Sequence, residues 1–216
     1  MNAPFDPALQ QAAHAAAVAR LCGALDGAFD ACALAHPHPH PHPHPHSHAD
    51  EASDSDPSRC VAFAQGVRFA LAQALADAAL VTPALRMPGA DADIGTYRRH
   101  LLAADPRGRY TVAALVWQPG HASPVHAHHT WCGYAVLDGT LTETLYGWNE
   151  SRGVAEVRRA QQRTTGAIAF GGPGRANVHR LANDSATQTV SLHVYGVAAA
   201  QIATHVNDVL PLALAV

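Results

Sequence analysis

The stretch "PGHASPVHAHHTWCGYAVLDG" (residues 119–139) decides how the rest of the chain is read. His126 and His128 stand two residues apart, so on a strand both imidazoles leave the same face. Inside a small barrel, inward side chains converge on a common point. Histidine is the commonest metal-ligating side chain, so the pair offers two ligands for one ion. Pro-Gly at 119–120 and Asp-Gly at 138–139 punctuate the stretch. The segment "VLDGTLT" (136–142) predicts a hairpin with Asp138-Gly139 as its two-residue turn.

Further short β-rich runs lie on either side: "YTVAALVWQPG" (110–120), "AIAFGGPG" (167–174) and "TVSLHVYGV" (189–197). Before them, residues 8–35 and 58–80 carry apolar groups at helical spacing. The first run is expected to break or bend at Gly23 and Gly27, and the second to start behind Ser58 as N-cap. The expected fold is mainly β: a small jelly-roll barrel over 94–200 behind an N-terminal helical arm over 1–82, in a single domain spanning 1–216.

The arm is interrupted at 36–57. Its tract "HPHPHPHPHPHSH" (36–48) holds seven of the sixteen histidines. Alternating prolines remove every second backbone donor, which predicts a disordered, extended loop outside any helix or central strand. The same prolines deny these histidines a fixed chelate geometry. Two readings stay open for the tract: repeat expansion in a tolerant surface loop, or loose, multisite metal buffering.

Composition narrows the function classes. The 216 residues carry a net charge of −3, which points to neither a nucleic-acid nor an anionic-membrane partner. All fourteen basic residues are Arg, so chemistry through a lysine Schiff base is excluded. Cys22, Cys32, Cys60 and Cys132 form no CxxC pair and read as reduced thiols of a cytoplasmic protein, the first three as small apolar residues of the arm. The N-terminus lacks a basic n-region, and no apolar run reaches a membrane span. A monomer is expected.

The HxH pair belongs to a larger constellation. Gly120, His126, His128 and Gly139, followed by His179 and Asn183 in "NVHRLAN", resemble the two motifs of the cupin family, G(X)5HXH(X)3–4E(X)6G and H(X)3N. One position departs: Cys132 stands where the first motif has Glu. Three neutral imidazoles leave a divalent ion its full charge and about three open octahedral positions. A thiolate and a second substrate donor can take two of them, and O2 the third. "SLHVY" places Ser191, His193 and Tyr195 on one strand face, and "TYRRHLL" offers Arg98 and Arg99 for a substrate carboxylate.

With these elements the sequence resembles the cysteine dioxygenase type I family of cupin thiol dioxygenases, over about residues 94 to 195. The resemblance implies Fe(II) bound by His126, His128 and His179, and a small thiol oxidised by both atoms of O2 to a sulfinic acid. It implies Tyr97 and Arg99 as the substrate-binding pair, with Arg98 an alternative if the register slips. It implies a catalytic set of Ser191, His193 and Tyr195 as a hydrogen-bond relay, with Cys132 near the iron. Animal members join a Cys to the relay Tyr by a thioether. That Cys lies seven residues after the first metal His, whereas Cys132 lies six after His126, so a Cys132–Tyr195 bond stays open. Animal members also follow the Tyr with Ser-Pro, where this chain has Gly196. Relatives acting on 3-mercaptopropionate carry Gln in place of the Arg, so Arg99 implies L-cysteine, with 3-mercaptopropionate or mercaptosuccinate as alternatives. A non-enzymatic metal-binding cupin and a metal-buffering protein are the readings of another class.

Overall fold

The computed structural model describes residues 6–35, 56–81 and 96–213. The His-Pro tract of 36–48 lies outside the described residues.

Two helices build the arm. Helix α1 (Pro7–Ala35) is one unbroken helix of 29 residues, against the expected break at Gly23 and Gly27. A glycine costs a helix only about 1 kcal/mol relative to alanine, and the surrounding Ala and Leu together with packing outweigh two such costs. Helix α2 (Val61–Leu75) starts later than expected. Residues 57–59 form a 3-10 turn capped by Asp56, whose carboxylate accepts from the Ser58 N–H at 3.0 Å. Cys60, not Ser58, holds the N-cap position of α2. Pro57 forces the tight turn and shifts the helix start. Among the described residues no helix is long and apolar enough to cross a membrane.

Ten strands follow among the described residues: β1 (Arg98–Ala104), β2 (Thr111–Trp117), β3 (His126–His128), β4 (Cys132–Asp138), β5 (Thr140–Asn149), β6 (Val154–Thr164), β7 (Ile168–Gly171), β8 (Gly174–Ala182), β9 (Thr189–Tyr195) and β10 (Asn207–Val209). They form two antiparallel sheets, β1-β2-β9-β4-β7 and β10-β3-β8-β5-β6. The sheets face each other across Leu115, Trp117, Tyr134 and Val136 of the first and Leu141 and Leu181 of the second. The mainly β jelly-roll with a helical region at its N-terminal side is the fold observed.

Strand β2 shows why its sequence is apolar without alternation. Leu115 and Trp117 point between the sheets, whereas Val112 packs with Leu21, Leu25, Phe63 and Val67 of the arm. A strand buried on both faces reads as a continuous apolar run. Arg109 ties the layers together: it donates to Asp105 at 2.8 Å and also to Asp26 of α1.

The expected hairpin at Asp138-Gly139 is not one. β4 and β5 do not pair; the turn carries the chain from one sheet to the other. Gly139 takes φ +89, and a Cβ there would strike Thr189. The left-handed turn residue is therefore required, but for a corner pressed against β9. A hairpin does follow it: β5–β6, paired from Thr140↔Thr164 to Asn149↔Val154.

Candidate metal centre

Strand periodicity and register assemble the three histidines. His126 and His128 are both buried on β3, their rings stacked at 4.9 Å between centroids. Strand β8 pairs with β3 so that His179 lies directly opposite His126. One ligand atom from each residue falls within 4.8 Å of the others.

Each ring is prepared differently. His126 Nδ1 donates to the Pro124 carbonyl at 2.9 Å, which leaves Nε2 with its lone pair. His179 Nδ1 donates to Glu143 Oε1 at 2.9 Å, which does the same for its Nε2. That lone pair faces His128 Nε2 at 3.2 Å, and His128 Nδ1 is buried without a partner. Two lone pairs at this separation repel unless a proton or a cation sits between them, so the donor set fits a metal ion. Burial and the neighbouring His179 ring hold the His126 imidazole down at about 4, and burial likewise holds His128 well below its ordinary value. Both are neutral at pH 7, the form that coordinates metals.

Glu143 is 3% exposed and also accepts from Arg163 Nε at 2.7 Å and Gln161 Nε2 at 2.8 Å. Burial alone raises its carboxyl, but the hydrogen bonds from His179, Arg163 and Gln161 outweigh it and hold the group at about 2. Sequence reasoning passed over this residue. Its signal was present in "TLTETL": Leu141, Glu143 and Leu145 alternate on one face of β5, and an acid in an apolar row asks for a partner.

The other residues named from sequence gather around the triad. Ser191 and His193, both buried on β9, hydrogen-bond at 2.9 Å between Oγ and Nε2. Trp117 Nε1 donates to Ser191 Oγ at 2.8 Å, a link not foreseen in the sequence. The contact from His193 to Tyr195 is ring stacking, with centroids 5.6 Å apart, and Tyr134 also stacks on His193, at 5.3 Å. Cys132 and Tyr195 face each other as register partners across β4 and β9. Burial pushes both the Cys132 thiol and the Tyr195 phenol up, so each keeps its proton at pH 7.

Register also separates the two arginines. Arg99 pairs with Leu115, which faces the space between the sheets; Arg98 pairs with Val116 of the opposite face and donates to His100 at 2.8 Å. Arg99 donates to the Tyr97 hydroxyl at 3.3 Å and the Ile202 carbonyl at 3.2 Å, and its Nε is buried without a partner. Tyr97 rests on Trp117 at 4.5 Å between centroids. A narrow pocket of about 20 Å³ is lined by Tyr97 and Trp117, the three histidines, Cys132, His193 and Tyr195. Trp131 stays outside it and packs on Phe63 of the arm at 5.0 Å. His129 is exposed, as its position after the HxH pair predicts.

The family model "Cysteine dioxygenase type I" matches residues 63–206. Among curated relatives, cysteine dioxygenase type 1 of Homo sapiens is 30% identical over 101 residues, covering 46% of this chain and 50% of that protein. The Rattus norvegicus protein of the same name is 29% identical over 101 residues. The chain thus covers about half the length of the curated relatives it matches. Among solved structures, the TT1209 protein of Thermus thermophilus aligns with a TM-score of 0.40 at 19% identity, covering 54% of this chain and 96% of that one. With most of the arm-to-barrel sequence matched by one family model, this chain belongs to the cysteine dioxygenase type I family.

Proposed function

We propose that the protein is a thiol dioxygenase that holds Fe(II) at His126, His128 and His179 and converts L-cysteine and O2 to cysteine sulfinic acid. The observation that carries the reading is the all-imidazole triad lining a pocket together with Tyr97, whose hydroxyl accepts from Arg99. When bound, the iron supplies adjacent open positions for a thiolate and for O2, and the redox chemistry between them.

The protein's own groups account for binding and orientation. The Arg99 guanidinium, held by Tyr97 and Ile202, takes the substrate carboxylate, its unpartnered Nε supplying one donor. Trp117 anchors Ser191, Ser191 fixes His193, and the stacked His193 ring fixes Tyr195 against the pocket. The Tyr195 phenol, protonated at neutral pH, donates to the carboxylate or to a substrate oxygen. Leu115, Leu181 and Trp117 give the pocket apolar walls, which limit water beside the reacting sulfur. A pocket this narrow excludes bulky thiols.

The test is anaerobic loading with Fe(II), then O2 uptake with L-cysteine, 3-mercaptopropionate and mercaptosuccinate. Thiol-dependent uptake is expected, fastest with cysteine. A faster rate with either of the other acids moves the substrate and keeps the enzyme class; no thiol-dependent uptake with any of them contradicts it.

A further inference from the structure

Two thiols of the arm, 28 positions apart in sequence, meet in the fold. Helices α1 and α2 run antiparallel: Arg20 pairs with Asp77 near one end, and the Phe29 and Phe63 rings touch at 4.7 Å between centroids near the other. At Gly66 the backbones come so close that a Cβ would lie 2.6 Å from Ala28 Cβ. Cys32 is three residues after Phe29, and Cys60 three before Phe63. In an antiparallel pair these steps run the same way along the same interface, so the two cysteines face each other one turn beyond the rings. Both belong to the cluster formed by the arm and the first sheet, with Cys60 buried and Cys32 partly exposed.

We infer that Cys32 and Cys60 form a dithiol centre that a hydroperoxide oxidises to a disulfide, tying the end of α1 to the start of α2. The two thiols lie near enough for each to shift the other's titration. Burial pushes the Cys60 thiol up, but hydrogen bonds from Cys32 and from the Phe63 and Ala62 backbone N–H groups outweigh it and leave it below its ordinary value. Burial pushes the Cys32 thiol up. Cys60 at a helix start is therefore the nucleophile and Cys32 the resolving thiol. Because Cys60 is only 5% exposed, the oxidant must be small.

The chemistry balances with one equivalent of hydrogen peroxide. The Cys60 thiolate attacks a peroxide oxygen, the O–O bond breaks, and the departing hydroxide leaves as water with the thiol proton. Cys32 then displaces the hydroxyl of the sulfenic acid, forming the S–S bond and releasing a second water. Two electrons pass from the sulfur pair to the peroxide. Closure of the segment between the two cysteines removes freedom from the unfolded chain, so oxidation raises the melting temperature.

The test uses the full-length, metal-free chain, so its outcome is independent of the iron site. Hydrogen peroxide is added at one equivalent, free thiols are blocked, and peptides are mapped by tandem mass spectrometry without reduction. The expected result is a Cys32–Cys60 link formed at least roughly ten times faster than oxidation of Cys22. Cys32→Ser should instead leave a trappable sulfenic acid on Cys60, and Cys60→Ser should abolish the fast reaction. The linked protein should melt several degrees above the reduced one, a gap that Cys32→Ser removes. Absence of the link, or oxidation of Cys22 or Cys132 ahead of Cys60, overturns the inference. Oxidised glutathione serves as the bulky comparison; equal or faster linking by it overturns the assignment to a small hydroperoxide.

Discussion

Glu143 Oε1 accepts the Nδ1 proton of His179 at 2.9 Å, and this single bond fixes which nitrogen of the third histidine faces its two companions. The carboxylate is itself held by Arg163 and Gln161 from the neighbouring strand β6, so the ring is oriented by a chain of buried polar groups. Such partners of metal-ligating histidines typically contribute a factor of about 10 to 100 in metal affinity. Glu143→Gln is expected to weaken Fe(II) or Co(II) binding by that factor while the barrel stays folded, as followed by anaerobic titration. Wild-type affinity in this variant would mean that the bond is structural only.

Arg99 is the inward arginine by register, opposite Leu115. Loss of one partner from a desolvated charge pair costs about 2–5 kcal/mol. Arg99→Gln should therefore raise KM for cysteine by roughly 100-fold while the iron content holds at the wild-type level. Arg98→Gln should change KM little, because that side chain leaves the other face toward His100. Steady-state O2 uptake on the two variants separates them.

Cys132 is the register partner of Tyr195 even though it lies only six residues after His126. With that spacing the pair is opposite across β4 and β9. Directly opposed residues in an antiparallel pair have Cβ atoms about 5 Å apart, within reach of a thioether between the sulfur and the phenol ring. Intact-mass measurement after aerobic turnover should find a fraction lighter by two hydrogens, absent in Cys132→Ser. A single unshifted mass would leave the two residues as packing partners.

The docking of arm and barrel is expected to depend on pH through Asp105. Hydrogen bonds from Arg109 outweigh burial and hold its carboxyl at about 2, below the value of about 3.9 for an unfolded aspartate. The stability this contributes, on the order of 2 kcal/mol, is present above about pH 4 and lost as pH falls toward 2. Thermal melts of wild type and Asp105→Asn should differ clearly at pH 7 and converge as the pH approaches 2. A gap independent of pH would contradict the assignment.

The triad was legible because strand periodicity alone aims His126 and His128 to one side, and a late histidine needs only register to join them. The Ser191–His193 pair was legible for the same reason, whereas the choice of Arg99 over Arg98 rested on the family resemblance until the β1–β2 register separated them. Turn chemistry was less informative. Asp138-Gly139 requires a left-handed glycine whether the chain folds back as a hairpin or crosses to the other sheet, and distant pairing partners decide between these. Gly23 and Gly27 misled because helix propensity is weak against packing. Glu143 escaped because its partners, His179 and Arg163, are brought in by two other strands. The meeting of Cys32 and Cys60 depends on how two helices cross, which no local pattern records.

The central claim is that this pocket inserts both atoms of O2 into a bound thiol. Turnover of L-cysteine under isotopically heavy O2, with mass analysis of the product, addresses it directly. The account predicts cysteine sulfinic acid carrying two heavy oxygens, with no external reductant consumed. Product oxygen drawn from water, or cystine as the sole product, would contradict it.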